Sequence, residues 1–312
     1  MVSVVRQIAK RVQRLPGIEN WHGLWDAITS PYQRFLRARG RVEIIESSTF
    51  LCHPGADPRD RQRIQKNSLL HNAQNVYSQR GDDGVIGEIF RRLHIVKGFF
   101  VEFGAWDGIY LSNTRWLFEQ GWTGAYIEAD PIKFAELKRN YAAFPNILCI
   151  QERVGLPGRE GKLIDQIAIE NFHNRQIDLM IIDIDGLDYC VLETMTLRPT
   201  VVCIEGGFAW HPAFTRRVPD AVAAKNLQQP LAVMIEIGLA AGYTPVCFNQ
   251  NVYFALNKVA HVFDAIGNDA LTLWYDAWLN EGDAFRRALE KHRRSNTLIR
   301  EQEGPEFEEL PP

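Results

Sequence analysis

Phe99-Phe100-Val101-Glu102-Phe103-Gly104-Ala105-Trp106-Asp107-Gly108 is the stretch from which this 312-residue chain is read. An apolar run ends in an acid, and two glycines four residues apart follow. The pattern predicts a buried strand, a glycine turn and the approach to a helix. A parallel strand of this kind delivers its C-terminal end to a ligand crevice, which makes Glu102 and Gly104 candidate binding residues. Gly104 is expected to let a ligand approach the main chain.

Downstream, strand and helix patterns alternate, the mark of an α/β fold with a parallel sheet covered on both faces. Strands are expected at 99–103, 124–128, 147–151, 179–184 and 201–204. Residues 244–248 and 252–256 read as a terminal antiparallel pair. Ser112 is expected to cap a helix running to Gln120. Asp130-Pro131 reads as N-cap and N1 of the next helix. Helices are further expected at 189–195, at 233–241 closed by Gly242, and at 271–294. Upstream, Tyr77, Ser78 and Gln79 are a possible ligand-side loop, and Asp82 or Asp83 reads as the cap of the helix that follows.

Composition narrows the class. The chain is 46% hydrophobic and 23% charged, which suits a soluble globular protein. Its net charge of −3 gives no reason to expect nucleic acid. No apolar run is long enough for a membrane span, and no secretory signal is expected. The five cysteines include no C-x-x-C pair and read as buried free thiols, so a cytoplasmic location is expected. Residues 1–41 are basic, which suits either a solvated helix packed on the core or peripheral contact with an acidic membrane. Residues 52–65 read as a boundary loop, and 301–312 as an acidic disordered tail.

Three acidic positions carry the candidate chemistry. Glu102 precedes the glycine turn, where it would repel a pyrophosphate but suit a cation; the G-x-G-x-x-G spacing of a dinucleotide site is absent. Glu128 ends the second strand, about where a residue accepting both ribose hydroxyls is placed. In Ile182-Asp183-Ile184-Asp185-Gly186-Leu187-Asp188, Asp183 and Asp185 can hold an acceptor hydroxyl, act as base or bind a divalent metal such as Mg. Asp188 has a plainer job as helix cap. Glu205, ending the fifth strand, is a further candidate oxygen ligand for such a metal. His211, on a glycine-rich loop, is a candidate general base or an ordinary surface residue.

Val101-Glu-Phe-Gly-Ala-Trp-Asp-Gly, Leu111-Ser-Asn-Thr, Trp122-Thr-Gly-Ala-Tyr-Ile-Glu-Ala-Asp-Pro131 and Ile182-Asp-Ile-Asp-Gly-Leu-Asp-Tyr189 resemble the FkbM-like S-adenosylmethionine-dependent methyltransferases. Tyr77-Ser-Gln-Arg-Gly-Asp-Asp-Gly84 also resembles the stretch preceding their first strand. The likeness covers roughly residues 75–257. It implies a class I methyltransferase (Rossmann-like) sheet of about seven strands, mostly parallel. It marks 75–260 as an S-adenosylmethionine-binding domain; the flanking residues, which it does not cover, read from their own composition and pattern as a basic helical extension (1–74) and a C-terminal helix with an acidic tail (261–312). It implies that Glu102, Gly104, Ala105 and Gly108 line the methionine end of the cofactor. Glu128 would hold the ribose, and Asp183 would lie near the transferred methyl. The acid run 183–188 is equally similar to the metal-binding run of certain sugar O-methyltransferases. The activity implied is O-methylation of a sugar, glycan or other small molecule. A non-catalytic scaffold and an NAD-binding oxidoreductase are the alternatives.

Overall fold

The computed structural model describes residues 66–184, 186–206, 210, 215–224, 228–263, 267–277, 279 and 280. All of them belong to one compact unit, Pro54–Gln302. The basic segment 1–41, the 52–65 loop, Asp185, His211 and the acidic end of the chain lie outside the described residues.

Seven strands form one sheet: β1 (Phe99–Phe103), β2 (Thr123–Glu128), β3 (Ile147–Gln151), β4 (Leu179–Ile182), β5 (Val201–Glu205), β6 (Tyr243–Phe248) and β7 (Asn251–Leu256). Their order is β3-β2-β1-β4-β5-β7-β6. Only β7 runs antiparallel to its neighbours. This is the topology implied by the sequence resemblance. The order reverses between β1 and β4, where a crevice opens beyond the C-terminal strand ends.

The central strands are covered on both faces, which explains their uninterrupted apolar runs. All five residues of β1 and all four of β4 are buried. Glu102 is therefore a carboxylate set in a buried strand, and its position is decided by what it bonds.

Helices are α1 (Asp82–Arg92), α2 (Arg115–Glu119), α3 (Pro131–Asn140), α4 (Ile164–Asn171), α5 (Asp188–Thr194), α6 (Asp220–Ala223), α7 (Leu231–Ala240) and α8 (Asn257–Ala260). Helix α3 packs on β2 and β3, α5 on β4 and β5, and α7 on α5 and β6. Residues 270–277 are also helical. Asp276 in that helix accepts a hydrogen bond from Ser68 Oγ at 2.8 Å, which ties it to the first described segment.

Four local expectations are corrected. Helix α2 begins at Arg115, because Ser112 Oγ accepts from the Thr114 and Arg115 amides and holds the chain in a turn first. β4 stops at Ile182: pairing with β1 ends at Ile181 and pairing with β5 at Ile182. Asp188 begins α5 without capping it: its carboxylate accepts from the Ile184 and Gly186 amides and closes the turn before the helix. Asp82 and Asp83 do not cap α1, whose N-cap is Gly81. Asp83 Oδ2 instead gathers the amides of Val76, Tyr77 and Ser78, each at 2.8 Å. The Asp130 cap is as expected: Oδ1 accepts from Ile132 N and Lys133 N.

Candidate functional site

Two clefts open at the C-terminal ends of the strands and share Phe103, Gly104, Trp106 and Asp183 as the saddle between them. The first, about 350 Å³, runs from the saddle toward β5 and β7. The second, about 450 Å³, runs over the ends of β2 and β3.

The saddle is fixed by a backbone contact. Gly104 has φ +72°, and a Cβ there would drive into the carbonyl oxygen of Asp183. Glycine is thus required by the close approach of β4's exit to the turn after β1. Gly108, at φ +73°, faces Leu137 of α3 and Tyr141 just after that helix, and lines neither cleft. Ala105 lines the first cleft and is buried.

Glu102 lines the first cleft, 5% exposed. Its Oε2 accepts from Ser112 Oγ at 2.8 Å and from Thr114 Oγ1, while Oε1 accepts from Asn113 N at 3.0 Å. Burial pushes its carboxyl up from the usual range, against the pull of the two hydroxyls. Most of its accepting capacity is spent on residues 112–114. The network continues through Thr114 Oγ1 to Tyr126 OH and Tyr141 OH, and Tyr141 donates to the Gly108 carbonyl at 2.6 Å. The middle and the far end of the 104–114 loop are thereby anchored.

Glu128 lines the second cleft, 7% exposed. Oε2 accepts from Trp106 N and Oε1 from Asp130 N, both at 2.7 Å. A carboxylate offers about four acceptor positions, so each oxygen retains one for a further donor. This is the arrangement a vicinal diol needs, and on it the residues fit S-adenosylmethionine. Helix α2 starts well beyond the glycine turn, so no helix N-terminus meets that turn as a pyrophosphate would require.

Asp183 is exposed and borders both clefts. Glu205 borders the first, and Gln228 Nε2 lies 3.5 Å from its Oε2. Asp185 and His211 are outside the described residues. Among the described residues no three His, Cys, Asp or Glu side chains group as a metal would need. Of the three candidate oxygen ligands, Asp183 and Glu205 are described. No helix among them is long and apolar enough to cross a membrane. Cys190, Cys203 and Cys247 are buried free thiols; Cys149 is half-buried.

The far wall of the first cleft comes from elsewhere in the chain: Gln79, Arg80 and Asp82 before β1, and Gln250 and Asn251 from the β6–β7 turn. Of the upstream loop residues, Gln79 lines the cleft. Tyr77 OH instead bonds Glu119, and Ser78 Oγ accepts from the Asp83 amide. Asp82 was missed by sequence reading because an acid opening a helix resembles a cap. Its partners, Asn249, Asn251 and Tyr253, lie at the other end of the domain sequence.

No family model matches the chain, and no curated protein does. Solved structures do. A "putative caffeoyl-CoA O-methyltransferase" from Staphylococcus aureus is 17% identical, with 74% of this chain and 99% of that chain covered at a TM-score of 0.40. A methyltransferase from Thiobacillus denitrificans in complex with S-adenosyl-L-homocysteine is 14% identical, covering 77% and 94% at 0.35. A TehB-like methyltransferase from Corynebacterium glutamicum is 13% identical, covering 65% and 100% at 0.35. The fold is the class I methyltransferase fold. That statement rests on the strand order and the single antiparallel strand. Fold alone leaves the chemistry to the site.

Proposed function

We propose that this chain is an S-adenosylmethionine-dependent O-methyltransferase acting on a hydroxyl of a sugar, glycan or other small molecule. The observation that carries the reading is Glu128: a buried carboxylate at the end of β2, one backbone donor on each oxygen, open to the second cleft. Glu128 would hold the ribose hydroxyls. The 104–114 loop, anchored by Glu102 and Tyr141, would hold the methionine end. When bound, S-adenosylmethionine supplies a methyl on a sulfonium, and its C–S electron pair stays with sulfur as the methyl leaves. The protein's remaining tasks are in-line positioning of the acceptor oxygen and removal of its proton. The first cleft carries amide and carboxylate side chains suited to a hydroxylated acceptor. The basic composition of residues 1–41 supports peripheral contact with an acidic membrane. Co-sedimentation with phosphatidylserine vesicles, abolished by high salt, tests that contact.

Calorimetric titration with S-adenosylmethionine and S-adenosylhomocysteine tests the main reading. The wild type binds both. Glu128→Ala binds about 100-fold more weakly, since two charge-assisted hydrogen bonds are lost. Glu128→Gln, which keeps the shape, falls between. A folded wild type that binds neither ligand makes the chain a non-catalytic scaffold, and retention of NAD in their place makes it an oxidoreductase.

A further inference from the structure

We infer that Asp82, with Asn251 beside it, receives the acceptor hydroxyl in the first cleft and takes its proton. The inference rests on the methyltransferase reading, which places the donor along Glu128 and the 104–114 loop. That loop is the near wall of the first cleft, so the methionine end and the acceptor share this cleft, and the acceptor enters along the wall facing the loop. That facing wall is Gln79, Arg80, Asp82, Gln250 and Asn251.

The oxygens of Asp82 are divided between two tasks. Oδ1 accepts from Asn249 Nδ2 at 2.7 Å and from Tyr253 OH, neither of which lines the cleft. Oδ2 accepts only a longer bond, 3.2 Å, from Asn251 Nδ2, and Asn251 does line the cleft. Oδ2 is therefore the oxygen with accepting capacity left, and its one partner is the residue that lines the cleft.

The turn that brings Asp82 there is strained. Arg80 at φ +55° and Gly81 at φ +86° are consecutive left-handed residues, and Asn249 Nδ2 also holds the Arg80 carbonyl at 3.1 Å. Backbone strain maintained at a cleft wall is characteristic of functional positions.

Burial raises the Asp82 carboxyl to about 6, against the pull of Tyr253, Asn249, Arg80 and Asn251. A carboxylate so placed is a stronger base than an exposed one and remains ionised at neutral pH. The other titratable groups around it are Arg80 on its own segment, Tyr253 of β7 and Cys203 of β5. Glu102, Asp183 and Glu205 line the same cleft. As the acceptor oxygen forms its new O–C bond, the hydroxyl proton passes to Oδ2 and later leaves to solvent. The electron pair of the broken C–S bond remains on sulfur, so charge balances.

The test uses the full chain saturated with S-adenosylhomocysteine. The probes are methyl α-glucoside, methyl α-mannoside and methyl α-galactoside, observed by saturation-transfer NMR. At least one glycoside receives saturation from the wild type, and that signal falls several-fold in both Asp82→Asn and Asn251→Ala. Calorimetry on the same variants gives S-adenosylhomocysteine affinity within about 2-fold of wild type, which shows that fold and donor site persist. With methyl-labelled donor, transfer to the bound glycoside falls by at least about 100-fold in Asp82→Asn, as for a lost general base. The wild-type rate rises with pH through about 6, and the variant lacks that limb.

Absence of glycoside contact in donor-competent wild type overturns the assignment, as does equal contact or equal transfer in Asp82→Asn. So does loss of S-adenosylhomocysteine binding in Asp82→Asn, which would make the residue structural. Failure of the wild type to bind S-adenosylhomocysteine overturns the methyltransferase reading instead.

Discussion

The two acidic walls of the cleft region are built from different donors. On the β1–β2 side, Glu102 and Glu128 are held largely by main-chain amides and short hydroxyls no more than 22 residues away: Ser112, Asn113, Thr114, Trp106 and Asp130. On the β5–β7 side, Asp82 is held by side chains alone, from Asn249, Asn251 and Tyr253. The first arrangement is a loop folded onto its own acids. The second is a long-range clamp that exists only once β7 has docked beside β5, with Asn251 opposite Glu205 and Tyr253 opposite Cys203. A local wall is rigid by construction, whereas a clamp of side chains keeps a carboxylate buried at a cost that function must justify.

Four stability measurements break or sharpen this contrast. The largest effect belongs to the saddle between the walls. Gly104→Ala forces a side chain into the left-handed region and into the Asp183 carbonyl, costing about 3–5 kcal/mol in urea unfolding. A loss under about 1 kcal/mol would show that the exit of β4 can move away and that the saddle is not fixed.

Asp82→Asn comes next, and its sign depends on pH. The folded chain binds this proton more tightly than the unfolded one, because burial lifts the carboxyl to about 6. The native state is thus favoured below the ordinary carboxylate range, and that advantage is lost as pH rises through about 6. From about pH 4 to pH 8 the stability of Asp82→Asn relative to wild type therefore improves by about 2 kcal/mol. A flat difference across that range would mean that the clamp does not hold a desolvated carboxylate.

Thr114→Val probes the local wall. It removes the hydroxyl that bridges Glu102 and Tyr126, and about 2 kcal/mol of stability goes with it. S-adenosylhomocysteine affinity weakens several-fold, since the loop loses an anchor. Unchanged affinity would detach Glu102's loop from donor binding. The smallest effect is at the outer edge of that loop. Tyr77→Phe removes an exposed bond to Glu119 and changes stability by less than about 0.5 kcal/mol. A larger loss would extend the rigid wall to the surface.

The same contrast explains what was legible beforehand. Glu102 and Glu128 announce themselves because each ends an apolar run that a strand period reveals. The glycine at 104 was legible as a special position, but its cause was not: the neighbour that excludes a side chain is Asp183, just past the end of β4 and nearly eighty residues on. Ser112 read as a helix cap, and it does bond amides ahead of α2, yet its own hydroxyl proton goes to Glu102. Asp188 read as a cap for the same reason and proved to close a turn.

By itself, the sequence determined the alternation of strands and helices, the terminal antiparallel pair and two acids at strand ends. Those features follow from hydrophobic period and turn chemistry, which act over a few residues. Tertiary structure alone decided which acids share a cleft. It set Asp183 on the saddle and brought Asp82 to donors 167 to 171 residues away. The physical reason is that a buried carboxylate is placed by its hydrogen-bond donors, and here those donors arrive through sheet order, with β7 inserted antiparallel between β5 and β6.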